Sequence, residues 1–111
     1  MNKVIVTGNI AAEPTYRNDE HTVLAFPFAV ENTVRTEDGY DTEPSFLNMV
    51  IFGNYAKALT FLEKGQRCAI EAHVKTSTYE DKDGKKRQSV DFVVDEIEAS
   101  RKAQKDAEPA A

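Results

Sequence analysis

The chain has 111 residues, one cysteine and a formal net charge of −5 at pH 7. This length suits one domain with a proper core and is too short for two. No apolar run is long enough to cross a membrane, and Met1-Asn2-Lys3 leads directly into strand residues, so we expect no signal peptide. The single cysteine, Cys68, cannot form an internal disulfide, so we expect a protein of the reducing cytoplasm. The acidic balance counts against a uniformly basic nucleic-acid-binding surface, although the charge of a local groove would decide such binding.

The first segment, residues 4–10, predicts a β-strand because its apolar residues alternate. One side carries Val4, Val6 and Ile10, and the other carries Ile5. Gly8 interrupts the alternation and predicts a bend or bulge. We expect strand pairing to weaken over residues 11–14 and to resume at residues 15–17. Since hydrophobic side chains occupy both faces of the opening strand, we expect it to pair with another copy of the chain.

A sharper alternation over residues 22–33 predicts a second long strand. The bulky side chains expected to face its core are Leu24, Phe26, Phe28 and Val30. Pro27 lacks a backbone N–H and predicts a bulge or an unpaired edge. Residues 35–44 are mostly acidic and rich in turn formers, and they predict a connection with Asp38-Gly39 at its tip.

Residues 46–65 predict a strand followed by a helix. Alternation assigns three side chains of the strand to the core: Leu47, Met49 and Ile51. The opposite face carries Phe46, Asn48, Val50 and Phe52. Asn54 is an acceptable N-cap, and the apolar spacing after it predicts a helix of about three turns that ends with Gly65 in the left-handed position.

Two more strands follow this helix. Residues 67–79 alternate, with Cys68, Ile70, Ala72 and Val74 on the apolar side. Residues 80–87 predict a charged hairpin with Asp83-Gly84 as its turn, and a last strand ends near Ile97. Residues 99–111 are polar and alanine-rich, and we expect a disordered tail after a domain of residues 1–98.

The predicted order is therefore three strands, one helix and two strands. Among all-β folds, this connectivity is that of the OB-fold, a five-stranded Greek-key barrel with one helix between strands 3 and 4. Sandwiches lack the helix, and parallel α/β folds need more than one. We predict an OB-fold.

The residues indicate no catalytic site. Acidic side chains are scattered over turns and exposed strand faces, and spacing brings no pair of them into a pocket. Cys68 has no evident activating partner, no glycine-rich loop precedes the helix, and neither His21 nor His73 has metal-ligand spacing. We predict a protein that is not an enzyme and that holds no metal or cofactor.

Aromatic side chains instead indicate binding. Phe46 and Phe52 lie opposite the core face of the central strand, with Asn48 between them, and Tyr79 lies beside the charged hairpin. Exposed rings among cations suit single-stranded nucleic acid, because unpaired bases stack on rings at about 1–3 kcal/mol each while cations follow the phosphates. The expected cations are Arg35, Lys75, Lys82, Lys85, Lys86 and Arg87. An equally compatible interpretation covers the phenylalanines with a loop or a subunit and makes Tyr79 an ordinary strand residue.

Four pieces follow one another between residue 2 and about residue 97: NKVIVTGNIAAEPTYR, VLAFPFAVENT, SFLNMVIFGNYAKALTFLEKGQ and IEAHVKTSTYEDKDGKKRQ. In content and order they resemble the bacterial single-stranded DNA-binding proteins (SSB). The most specific match is the aromatic-ended strand, FG, helix and LxKG of residues 46–65. The resemblance implies that Phe46, Phe52 and Tyr79 stack on bases, and it implies a homotetramer in which N-terminal strands pair between subunits.

The sequence also departs from that family. Asn9, Asn32 and Asn54 stand where a cation is common, and Val34 stands near the place of another aromatic residue. The long linker and the acidic tip ending in Pro-Phe are missing from the sequence, which stops at AEPAA, so recruitment of repair enzymes through such a tip is not expected.

The function we predict is the coating of single-stranded DNA, with little sequence preference, during replication, recombination or repair in the nucleoid-associated cytoplasm. The alternative is an interaction module similar to primosomal OB proteins. Such a module would bridge replication partners and bind nucleic acid only weakly.

Overall fold

Six strands and one short helix form the part of the chain that the computed structural model describes, residues 1–100. They are β1 (Val4–Ile10), β2 (Thr15–Tyr16), β3 (Val23–Thr36), β4 (Gly39–Phe52), α1 (Asn54–Ala58), β5 (Arg67–Glu80) and β6 (Lys86–Ala99). β6 runs one residue past the predicted domain boundary, and most of the predicted tail, residues 101–111, lies outside the described residues. Within residues 1–100, no helix has the length and apolar character needed to span a membrane.

The strands form one sheet that closes on itself. Their order is β1-β5-β6-β4-β3-β2, and β1 also pairs with β3 at Asn9↔Ala29 and Ile10↔Phe28. All pairs are antiparallel except β4 with β6, which run parallel. β2 is only two residues long, so the barrel has five long strands with the helix between the third and the fourth of them. The predicted OB-fold is confirmed.

The predicted core faces are largely correct. Phe28, Met49 and Ile51 are fully buried, as alternation required. The rings of Phe26 and Phe28 meet edge to face, with centroids 6.3 Å apart. Val50 is the exception, because it is buried although it lies on the face opposite Met49 and Ile51.

A bulge explains how the last strand fills the core. Glu71 pairs with Glu96 and the next residue, Ala72, pairs with Val94, so Asp95 is an extra residue in β6. The extra residue reverses the alternation. Val94 and Ile97 are three residues apart and would face opposite sides of a regular strand, but with the bulge between them both pack on the core.

The helix is shorter than the sequence predicts. It covers five residues and ends at Ala58, its N-cap is Gly53 at φ 77° rather than Asn54, and its C-cap is Leu59. Gly65 does have a positive φ, of 88°. The helix ends early because the chain after it is hydrogen-bonded to other parts of the barrel.

The segment after the helix is held by the ends of two strands. The N–H of Gly65 donates to the Ile10 carbonyl at 2.8 Å, and the N–H of Ile10 donates to the Gln66 carbonyl at 2.9 Å. The buried Gln66 amide accepts from the Glu63 N–H at 3.1 Å and donates to the Ser100 carbonyl. These bonds to β1 and to the end of β6 replace the helical hydrogen bonds that the apolar spacing alone predicts.

Gly8 does not form the predicted bulge. β1 pairs with β5 without a shift from Val4↔Ala72 to Asn9↔Arg67. A Cβ at Gly8 would lie 2.1 Å from the Ala29 carbonyl oxygen. Glycine is needed because β1 approaches the β3 backbone at this point.

Pro27 marks a gap in strand pairing rather than a bulge. Its pairing with Asn48 of β4 shows no shift in register. On the other edge of β3, β1 pairs on one side of Pro27 and β2 on the other. The N–H that proline lacks would therefore have had no partner in a neighbouring strand on this edge. The Pro27 carbonyl accepts from the Ala11 N–H at 2.8 Å.

The prediction of a turn-rich connection over residues 35–44 is wrong. β3 and β4 continue as a two-stranded arm, paired from Glu31↔Pro44 to Thr36↔Gly39, and only residues 37–38 form the turn. We call residues 31–44 the acidic arm, since they contain five carboxylates and one cation, Arg35.

We expect Gly8→Ala to lower the free energy of unfolding by about 1–3 kcal/mol, because the new methyl group displaces β1 from β3. Urea denaturation measures this change. The control is Thr7→Ala at an exposed position of the same strand, which should change stability by about 0.5 kcal/mol or less. Equal midpoints for the two variants would contradict the close approach at Gly8.

Candidate nucleic-acid interface

The outer face of β4 carries exposed aromatic side chains. Phe46 is 63% exposed and Phe52 is 48% exposed, with the exposed Asn48 between them. Alternation places all three on one face, and six residues of strand span about 20 Å. Within residues 1–100 no loop covers the rings, so the covering loop considered as an alternative is absent there.

Small side chains flank these rings on β3. Ala29 pairs with Phe46, Pro27 pairs with Asn48, and Val23 pairs with Phe52. Cross-strand partners lie side by side on the same face. The flanking residues are therefore too small to cover the rings, which leaves them open to a stacking partner.

Strand pairing connects this face to Tyr79. Val50 of β4 pairs with Val93 of β6, and Val93 pairs with His73 of β5. Tyr79 lies six residues after His73 in the same strand, and this even spacing places both side chains on the same outer face of the sheet. Its ring is 52% exposed. The structure thus brings all three predicted aromatic residues to one side of the sheet.

The predicted cations divide into separate groups. Lys75 and Arg87 share the outer face with Tyr79. Lys75 lies four residues before Tyr79 in the same strand, an even spacing, and Arg87 is the cross-strand partner of Tyr79. Lys86 pairs with Glu80 and has the opposite parity, which places it on the other face. Lys82 and Lys85 lie in the turn, and Arg35 lies in the acidic arm.

Asp81 organises the turn between β5 and β6. Its carboxylate accepts from the N–H groups of Asp83 and Lys85, each at 2.9 Å, and from Arg87 Nε at 2.8 Å. The Arg87 guanidinium is the main cause that lowers the pKa of the half-buried Asp81 carboxyl below its ordinary value, and the N–H of Lys85 adds to it. The predicted turn at Asp83-Gly84 is accordingly a turn over residues 81–84, closed by Gly84 N–H to the Asp81 carbonyl at 3.0 Å.

Tyr40 is an exposed aromatic residue that the sequence reasoning missed. It lies in the acidic arm opposite Arg35, is 74% exposed, and has the same parity as Phe46. Residues 41–45 contain no apolar side chain besides Pro44, so no alternation in the sequence points to Tyr40. Only the pairing of β3 with β4 places it on this face, where a turn-rich connection was predicted.

Arg17 is a second missed residue. Its N–H donates to the Val23 carbonyl at 2.8 Å, and Val23 pairs with Phe52. Two strand spacings place Arg17 about 10 Å from the β4 backbone, in the same row as Phe52. It also lines a shallow pocket of about 180 Å³ together with Asn48. The predicted strand at residues 15–17 contained the signal.

Other reactive groups do not form a site. Burial raises the pKa of the Cys68 thiol to about 11, which keeps the thiol protonated at neutral pH. His73 Nδ1 lies 3.1 Å from both carboxylate oxygens of Asp95. Among residues 1–100, no group of three or more His, Cys, Asp or Glu side chains is placed to hold a metal ion.

The fold is similar to several solved SSB structures. One is the Plasmodium falciparum SSB in complex with single-stranded DNA, with a TM-score of 0.75 and 16% identity over 89% of this chain and 92% of that chain. Another is a deletion variant of the Thermus aquaticus protein, with a TM-score of 0.76 and 24% identity over 90% of this chain and 50% of that chain. At these identities the likeness concerns the fold.

Sequence comparison identifies the family. A "Single-stranded DNA-binding protein 2" of Listeria monocytogenes is 30% identical over 101 residues, which cover 88% of this chain and 62% of the relative. A single-stranded DNA-binding protein of Clostridium perfringens is 26% identical over 102 residues, covering 88% and 65%. The chain thus spans less than two thirds of these relatives' length. The model of the single-strand binding protein family matches residues 1–100, and the chain belongs to that family.

Proposed function

We propose that this chain is a non-enzymatic protein that binds and coats single-stranded DNA with little sequence preference. Bases stack on Phe46, Phe52 and Tyr79, and phosphates contact nearby cations. The observation that carries the proposal is the exposure of all three rings on one face of the sheet. Aromatic side chains give about 1–3 kcal/mol per stacked base, and every base has a face that can stack.

Charge supports a binding mode in which stacking supplies much of the affinity. Arg87 is already paired with Asp81, and Lys86 has the opposite parity from Tyr79. The remaining predicted cations are Arg35, Lys75, Lys82 and Lys85, to which Arg17 is added. Each phosphate neutralised contributes about 0.7 to the slope of log affinity against log salt for single strands. We expect a shallow slope that corresponds to a few ion pairs per protomer.

The biological setting that we propose is replication, recombination or repair in the cytoplasm, at the nucleoid. The second candidate is a module that bridges replication partners. The acidic arm favours this alternative, because five carboxylates repel DNA and suit a basic protein surface.

We further propose self-association through β1. Ile5 is 75% exposed, and among the described strands only β5 pairs with residues 4–8. The second edge of β1 is therefore open to another strand. Lys3, which forms an ion pair with Glu71 beside Ile5, adds a polar rim. A homotetramer, or at least a dimer, would cover Ile5.

Phe46→Ala and Tyr79→Ala should each weaken oligo-dT binding by about 1–3 kcal/mol, because each removes one stacking surface. Fluorescence titration at two salt concentrations measures affinity and slope. The melting temperature should stay nearly unchanged, since both rings are largely exposed. Phe28→Ala, a truncation of a fully buried ring, should instead cost about 3–5 kcal/mol of stability.

Phe61→Ala is the matched control. Phe61 is 58% exposed but lies in the segment after the helix, outside the strands β4 and β5 that carry the three rings. Its truncation should leave oligo-dT affinity unchanged. Wild-type protein that fails to bind below about 10 µM would favour the partner module, because its affinity would then lie in the weak part of the nonspecific range of about 10⁻⁴–10⁻⁶ M.

Light scattering should return a mass of two or four protomers at micromolar concentration, against 12.4 kDa for one chain. Ile5→Lys should reduce that mass, because a buried unpaired ammonium opposes association. Phe61→Lys, which adds the same charge elsewhere, should not. A wild-type mass of one protomer would refute the proposed association.

A further inference from the structure

A shallow cleft lined by both apolar and polar surface lies next to the end of β4. Its volume is about 320 Å³, within the range of small-molecule sites, and its lining residues are Tyr16, Glu20, His21, Lys57 and Thr60. None of these residues is one of the three exposed rings, Phe46, Phe52 and Tyr79, on the outer face of the sheet. The cleft therefore needs a separate explanation.

Backbone connections place the cleft immediately after Phe52. The N–H of Gly53 donates to the Thr22 carbonyl at 2.8 Å, and Val23 pairs with Phe52. His21 directly precedes Thr22. On the other side, α1 begins right after Gly53 and carries Lys57. Both walls of the cleft thus start within a few residues of the Phe52 ring.

The wall that contains His21 is rigidly built. His21 adopts φ 60°, the only non-glycine residue among residues 1–100 with positive φ. The Asn18 side chain fixes this turn, since its Oδ1 accepts from the N–H groups of Thr22 at 3.0 Å and Val23 at 3.2 Å. The Tyr16 ring packs against His21 with centroids 4.4 Å apart. A left-handed residue held in this way carries a cost in energy that binding sites often retain.

The opposite wall, formed by α1, is hydrogen-bonded to the side chain of the same tyrosine, Tyr16. The Tyr16 hydroxyl donates to the Ala56 carbonyl at 2.9 Å, next to Lys57 in the helix. One aromatic side chain therefore contacts both walls. The cleft is preformed, so a ligand would not have to order it.

Two opposite charges in the cleft are available to a ligand. Neither the Lys57 ammonium nor the Glu20 carboxylate forms an ion pair within the described part of the chain. A nucleotide offers a partner to each group. Its phosphate suits Lys57, and an amino group on its base donates to a carboxylate.

We propose that this cleft binds the nucleotide that follows the base stacked on Phe52, with its phosphate at Lys57 and its base at Glu20. The inference rests on the proposed function. It adds a preference at one position, because cytosine presents its N4 amino donor to Glu20, whereas the one donor of thymine, N3–H, lies between two carbonyl oxygens that the carboxylate repels. Both are pyrimidines of similar size, so the comparison isolates this contact.

The test compares oligo-dC with oligo-dT on the wild-type protein and on two alanine variants. Glu20→Ala should lower the preference for oligo-dC over oligo-dT by about three- to tenfold, the effect of one hydrogen bond to a charged group. The matched control is Asp19→Ala, which removes the same charge from the neighbouring exposed position outside the cleft. It should leave the ratio of the two affinities unchanged.

A second pair of variants tests the phosphate contact. Lys57→Gln should weaken binding of both oligonucleotides by about three- to tenfold and lower the salt slope by about 0.7. Lys64→Gln, at an exposed lysine outside the cleft, should do neither. All four variants change exposed side chains, so circular dichroism should show an intact fold.

The outcomes separate this inference from the proposed function. Wild-type protein that binds neither oligonucleotide overturns both. If Phe46→Ala weakens binding as expected but Glu20→Ala and Lys57→Gln behave like their controls, only the cleft inference is overturned. An equal effect of Glu20→Ala on oligo-dC and oligo-dT also overturns it, since general electrostatics would then account for the change.

Discussion

The barrel depends on the crossing of β1 from β5 to β3. β1 follows β5 for six residues and then reaches β3 at Asn9 and Ile10. At this crossing the Ala29 carbonyl occupies the space that a side chain on Gly8 would need. Once β1 bridges the two strands, the sheet has an inside and an outside, and Ile10 and Phe28 fill the inside next to the crossing. The positions of all the outer side chains follow from this closure.

A closed barrel buries one face of each strand, so an aromatic residue on the other face stays exposed unless another element covers it. The only helix within residues 1–100 has five residues and begins at the end of β4, where Ala56 packs into the core. It therefore leaves the rings of Phe46 and Phe52 uncovered. Between the rings, Val50 is buried and Asn48 is exposed. Rings that stay exposed in this way are open to stacking.

The two long hairpins that extend from the barrel differ in charge. The acidic arm has five carboxylates and one cation, whereas residues 75–91 contain five cations and four carboxylates. In the second hairpin, Asp81 is used internally by Arg87 and by backbone N–H groups. The net charge of the chain therefore misrepresents the charge near Tyr79. Negatively charged DNA would be repelled less by this hairpin than by the acidic arm. This local difference is how an acidic chain can have a proposed role in binding DNA.

The sequence by itself determined the strand faces and the fold class. Period-two alternation identifies Phe28 and Ile51 as core and Phe46 as exposed, because successive side chains of a pleated strand point to opposite faces of the sheet. Only the tertiary structure decided the features that depend on distant partners. The helix ends early because the chain after it is hydrogen-bonded to Ile10 of β1 and to Ser100, the role of Gly8 depends on Ala29, and Tyr40 faces outward because β3 and β4 stay paired to their ends. Each of these contacts joins elements that local periodicity treats separately, so no pattern within one segment could have revealed it.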